Sequence, residues 1–152
     1  MQLMVGIDNA VHAGRGLRAW EDPQTGQVEA GWPEVAYESL RAINHLTGQG
    51  YAVPAPVLYD VLGNLKGVGY LLPQALTQLG KGLQASLAEY EVYDTAGDPH
   101  ESIDVARGYL LAAADAARTL GAALEAAQST IAGQGYRTDE EPQIPDQLTD
   151  GH

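Results

Sequence analysis

The four histidines, His12, His45, His100 and His152, are the first residues to weigh for acid–base or metal chemistry. Zinc sites need three or four Cys, His or carboxylate ligands at characteristic short spacings. None of these histidines forms such a pair, and no cysteine is present to complete a set. His100 falls in the first turn of a helix predicted below, so it is expected to be exposed. No metal and no cofactor is expected. A serine nucleophile would announce itself as Gly-x-Ser-x-Gly on a strand-to-helix turn. That motif is absent, and Ser39, Ser86, Ser102 and Ser129 all fall in helical stretches. Twenty Asp and Glu residues allow many carboxylate pairs. No spacing selects one, so no catalytic residue is assigned.

One further run has chemical potential. His12-Ala13-Gly14-Arg15-Gly16-Leu17-Arg18 could cradle an anion through glycine N–H groups and two arginines. It lacks the phosphate-loop and dinucleotide spacings, and a flexible arm with two solvated arginines is the plainer reading.

Charge narrows the partners. The formal net charge is −12, and residues 94–136 and 137–152 each carry −4 of it. Nucleic acids and anionic membranes are recognised by clustered Lys and Arg, so neither is expected as a direct partner. The acidity serves solubility; a sharper reading is an acidic decoy for a basic groove. The start of the chain lacks a basic, then apolar, leader and contains Asp8. The expected compartment is therefore the cytoplasm, with secretion by a leaderless route as the alternative.

Any such residues need a scaffold, and 152 residues fit one domain with a core. Phenylalanine is absent, so Leu, Ala, Val, Ile and eight Tyr must fill the interior. Small side chains let helix axes approach closely. Residues 1–31 are broken by glycines and read as an irregular arm or small hairpin. Strands are possible at Leu3–Ile7 and Gln27–Ala30, and Asp22-Pro23-Gln24-Thr25-Gly26 reads as a turn. A first helix is predicted over Pro33–Thr47. Proline suits its start, Glu34 and Glu38 suit the positive end of its dipole, and Gly48 and Gly50 stop it.

The centre of the chain predicts an antiparallel helical hairpin, Pro56–Val92 against Pro99–Ala132. On the first arm Leu58, Val61, Leu65, Val68 and Leu72 recur at steps of 3 and 4. Beyond Pro73 the stripe resumes, one residue out of step, as Leu76, Leu79, Leu83, Leu87 and Tyr90. Proline removes a helix hydrogen bond and clashes with the carbonyl four residues back, so a kink or a break is expected there. Asp98-Pro99-His100-Glu101 is a helix start with a capping-box spacing. The second arm carries Ile103, Ala106, Leu110, Ala113, Ala117, Leu120, Leu124, Ala127 and Ile131 in strict 3,4 alternation, a coiled-coil-type seam. Within it Leu110, Ala113, Ala117, Leu120 and Leu124 are the candidate interaction residues. Leu110 and Leu120 are expected to be buried between the arms, with Asp104, Arg107 and Asp115 facing water. At 1.5 Å per residue the hairpin would be about 50 Å long. Residues 137–152 read as a disordered acidic tail. The expected organisation is thus an arm over 1–31, a mainly all-α domain over 32–136 and the tail.

The stretch Trp32–Tyr136 resembles small uncharacterised helical proteins of Streptomyces-type actinobacterial genomes. The residues that carry the likeness are Val61-Leu62-Gly63-Asn64-Leu65-Lys66, Leu72-Pro73-Gln74-Ala75-Leu76 and Leu124-Glu125-Ala126-Ala127-Gln128 through Gly133-Gln134-Gly135-Tyr136. That resemblance implies no activity. A second, to helical-hairpin substrates of type VII secretion, rests on Tyr136-Arg137-Thr138-Asp139-Glu140, which is similar to their Tyr-x-x-x-Asp/Glu motif. Their Trp-x-Gly at the hairpin turn has no counterpart, since Trp32 precedes the hairpin and is followed by Pro33 and Glu34.

These readings favour a non-enzymatic helical interaction or assembly protein that binds a protein partner or itself through the hairpin flanks. The alternatives are a substrate or partner of a type VII-like secretion system, an acidic antagonist of a nucleic-acid-binding protein, and a small enzyme with an unrecognised carboxylate site.

Overall fold

The computed structural model describes residues 16–48, 50 and 52–138, which form two compact units dividing after Ala52. The possible strand Leu3–Ile7, residues 12–15 of the glycine–arginine run and most of the acidic tail lie outside the described residues.

In the first unit the Asp22–Gly26 turn forms as expected. Asp22 organises it with both carboxylate oxygens: Oδ1 accepts from the Gln24 N–H (2.8 Å) and Oδ2 from the Thr25 hydroxyl (2.8 Å). Gly26 takes the left-handed φ of 67° that closes the turn. The turn joins β1 (Trp20–Glu21) to β2 (Val28–Glu29), antiparallel, with Trp20 opposite Glu29. The strand at 28–29 falls inside the expected Gln27–Ala30. Its partner at 20–21 carries no periodicity long enough to announce it.

Helix α1 (Trp32–Thr47) starts one residue earlier than expected. The Glu34 carboxylate reaches back to the Gly31 N–H (3.1 Å), which satisfies a donor at the helix entrance. Gly31 has no room for a side chain, because a Cβ there would stand 2.8 Å from the Leu17 carbonyl oxygen. No residue of α1 is buried. The division after Ala52 places α1 with the strand pair, whereas the sequence reading grouped it with the hairpin in 32–136.

The second unit is the hairpin. Helix α2 (Ala55–Glu89) and helix α3 (Pro99–Ile131) end within three residues of their expected limits. The Asp98 carboxylate caps α3 by accepting from the His100 N–H (2.9 Å). Helix α2 runs without a break through Pro73, which is buried. Packing against α3 thus outweighs the hydrogen bond that proline removes.

The arms are antiparallel along their length, since cross-arm partners ascend on one as they descend on the other. Gln128 Nε2 donates to the Tyr59 carbonyl (2.9 Å), Lys66 pairs with Glu125 (3.5 Å), and Arg107 donates to the Gln84 side-chain oxygen (2.9 Å). Between the first two of these and the third, Gly69 meets Gly121, where a Cβ on Gly69 would lie 2.7 Å from the Gly121 Cα. No helix among the described residues is long and apolar enough to cross a membrane.

Candidate interaction surface

The seam on α3 departs from the expected one in a regular way. The sheltered residues are Ile103, Ala106, Arg107, Leu110, Ala114, Ala117, Gly121, Leu124, Gln128 and Ile131. Ile103, Ala106, Leu110, Ala117, Leu124 and Ile131 of the expected stripe are therefore correct, while Ala113, Leu120 and Ala127 give way to the residue that follows each, Ala114, Gly121 and Gln128. Of the five candidate interaction residues, Ala117 is buried and Leu110 and Leu124 are half-buried. Ala113 and Leu120 are exposed, Leu120 by 51 %, which corrects the expectation that Leu120 is buried between the arms. Arg107 is corrected too. Its stem is half-buried in the seam while its guanidinium reaches Gln84 on α2 and Asp104 one turn back (3.7 Å). Asp104 and Asp115 face water as expected.

Helix α2 repeats the pattern. Leu58, Val61, Leu65, Leu76 and Leu87 of its expected stripe are half-buried, and Leu62, Gly69, Pro73 and Gly80 complete the sheltered row. Val68, Leu72, Leu79 and Leu83, expected in the seam, are 36–50 % exposed. The cause is backbone proximity. Where the helices touch at Gly69 and Gly121 there is no room for a leucine between them, so Gly69, Pro73, Ala117 and Gly121 line the contact at that point, and Leu62, Leu76, Leu110 and Leu124 flank it. Periodicity in apolar side chains gives a glycine no weight, and so missed the row.

The displaced residues share a face. On both helices each one precedes a seam residue by one position: Val68 before Gly69, Leu72 before Pro73, Leu79 before Gly80, Ala113 before Ala114 and Leu120 before Gly121. Two antiparallel helices in contact are related by an approximate two-fold axis perpendicular to the plane containing both. That operation carries a preceding position on one helix to a preceding position on the other without changing the face. The preceding rows of α2 and α3 therefore emerge on the same side of the hairpin. From Val57 to Leu83 on α2, and from Ser102 to Thr130 on α3, this row holds no charged residue.

The positions following the seam build the opposite face, which carries the charged residues along with one exposed leucine, Leu111. Tyr70 Oη donates to Glu125 Oε2 (2.5 Å), and Lys66 pairs with the other oxygen of the same carboxylate. These contacts hold Glu125 below the usual carboxylate range, the tyrosine hydrogen bond contributing most, and push the Tyr70 hydroxyl above its ordinary value. Arg118 pairs with Asp115 (2.6 Å) on the same side. A small pocket of about 200 Å³ opens there beside Leu76, Gly80, Lys81 and Arg107.

The remaining chemical candidates are structural in their contacts. A depression near the turn gathers Asp94, Asp98 and Glu101. Asp94 accepts from the Ala96 N–H (2.7 Å), and that bond leads the contacts that hold its carboxyl below the ordinary value. Asp98 is the α3 cap. Ser39, Ser86 and Ser102 donate to carbonyls three or four residues back in their own helices. Among the described residues no group of three or more His, Asp or Glu side chains is placed to hold a metal ion. His100 is exposed, as its place in the first turn implies.

No family model, curated protein or solved structure matches the chain.

Proposed function

We propose that this chain is a non-enzymatic interaction or assembly protein whose binding surface is the uncharged face of the hairpin. One observation carries the reading. Val68, Leu72, Leu79 and Leu120, spread along the hairpin, are each at least 40 % exposed on the same side, where no charged residue interrupts them. Single exposed apolar residues are ordinary on protein surfaces, whereas a contiguous apolar stripe marks an interface. The seam reinforces the point. Its buried apolar side chains are Ile103, Ala114, Ala117 and Pro73, a thin core for so long a hairpin. The larger apolar side chains are available to a partner.

Photo-crosslinking in the native host tests this. A benzophenone side chain at position 79 or 120 is expected to form adducts, with itself or with another protein. The same group at position 104, on the charged part of α3, is expected to form few. Equal yields from the three positions, or none from 79 and 120, would overturn the reading.

A further inference from the structure

We infer that the occupant of the apolar face is a second copy of the same hairpin, stacked face to face so that α2 of each copy lies on α3 of the other and both turns are at the same end. The inference rests on the binding role proposed above and adds the partner and its geometry.

Area is the first argument. The uncharged face, about 40 Å long and two helices, or roughly 20 Å, wide, presents on the order of 800 Å². A stable specific interface needs about 800 Å² from each partner. Charge is the second. The chain carries a net −12, which would favour a basic foreign partner and oppose self-association. This face offers such a partner no carboxylate, and two copies meeting through it keep their charged sides apart.

Size complementarity is the third argument and fixes the arrangement. The α2 half of the face is large: Val68, Leu72, Leu79 and Leu83. The α3 half is mostly small: Ala106, Ala113, Ala116, Ala123 and Ala127. Only two dyads bring the faces together. One runs across the helices, sets leucine on leucine at one edge and alanine on alanine at the other, and leaves a wedge. The other runs along the hairpin and sets leucine on alanine at both edges, so the layers stay evenly spaced and close-packed. The second dyad also preserves height along the hairpin. Gly69 is level with Gly121 and Gly80 with Leu110. Hence Leu72 of one copy falls between Ala116 and Leu120 of the other, and Leu79 between Tyr109 and Ala113. Leu120 and Tyr109, the large exceptions on α3, fall level with the gaps between Val68 and Leu72 and between Leu79 and Leu83. The product is a four-helix bundle in which every neighbouring pair is antiparallel.

The chain has no cysteine, so Thr95→Cys in the turn gives a unique label site. The full-length protein is studied by sedimentation equilibrium and by electron–electron distance measurement on spin-labelled Thr95→Cys. A dimer with label separations under about 30 Å, two helix diameters plus the label arms, is expected. Leu79→Glu and, separately, Ala116→Glu are expected to weaken dimerisation at least 100-fold with helix content by circular dichroism retained. Arg118→Gln, on the polar face, is expected to leave it within threefold. A monomer at every concentration overturns the self-pairing, and crosslinks from position 79 to a different protein would then leave the binding role standing. A dimer with labels about 50 Å apart overturns the arrangement. A dimer indifferent to both glutamate substitutions overturns the assignment of the face.

Discussion

Gly69 and Gly121 touch backbone to backbone across the hairpin: Gly69 has no room for a methyl group, and one on Gly121 would displace the Tyr70 ring. A Cβ on Gly69 would lie 2.7 Å from the Gly121 Cα and 2.8 Å from its nitrogen, while one on Gly121 would lie 3.0 Å from the Tyr70 ring. Close contact at this point sets which rows of both helices face inward and which are turned out to the apolar face.

Glycine substitutions should therefore split by location. Ala is favoured over Gly by about 1 kcal/mol inside a helix. Gly67→Ala and Gly108→Ala, where a Cβ meets nothing within 4 Å, should stabilise the hairpin by up to about that amount. Gly69→Ala should destabilise it by about 1–3 kcal/mol despite the same helical gain, because neither backbone can yield without separating the arms. Urea melts of the three variants check the order.

Gln128 is 6 % exposed, and its amide donates to the Tyr59 carbonyl. Gln128→Ala should cost about 1–2 kcal/mol through that bond and the space left behind. A Cβ on Gly63 would stand 2.8 Å from the same amide nitrogen. Gly63→Ala should accordingly be destabilising in the parent and neutral or better in Gln128→Ala, a coupling that a double-mutant cycle in denaturant measures.

The corrected seam reverses the ranking that a strict heptad implies. Leu120→Ala, at a half-exposed position, should cost under about 1 kcal/mol in the dilute, unassociated chain. Ala114→Leu, at a position 1 % exposed, should cost about 1–3 kcal/mol by forcing the arms apart. Thermal melts at low concentration would show Ala114→Leu as the less stable variant.

The Tyr70–Glu125 contact links stability to pH at both ends. Glu125 is held below its ordinary value when folded, so its contribution is present above the unfolded carboxylate range and lost as pH falls through the lower folded value. Tyr70 is raised when folded, so its contribution is present below the ordinary tyrosine range and lost as pH rises through the higher folded value. The pair is solvent-accessible, and both effects should be small and salt-sensitive. In Tyr70→Phe the Glu125 carboxyl resonance should titrate nearer its ordinary value, with the remaining depression due to Lys66. An unchanged titration would remove Tyr70 as the main cause.

Much of the fold was legible in local chemistry. The Asp22–Gly26 turn, Pro33 and Gly48 around α1, the Asp98 cap of α3 and the limits of both long helices all follow from residues that act on their immediate neighbours. Ile103, Ala106, Leu110, Ala117, Leu124 and Ile131, the common members of the expected and observed seams, were legible too. Tertiary structure alone decided which adjacent row completes that seam. The rows of Leu120 and Gly121 lie only about 100° apart around the helix, and side-chain hydrophobicity favours Leu120. The contact instead follows how closely two backbones can approach, a property of both helices at once. Because Gly121 has a glycine opposite it at position 69, the arms close there. Leu120, with Leu72 and Leu79 across the hairpin, is left on the outer face, where the proposed binding surface lies.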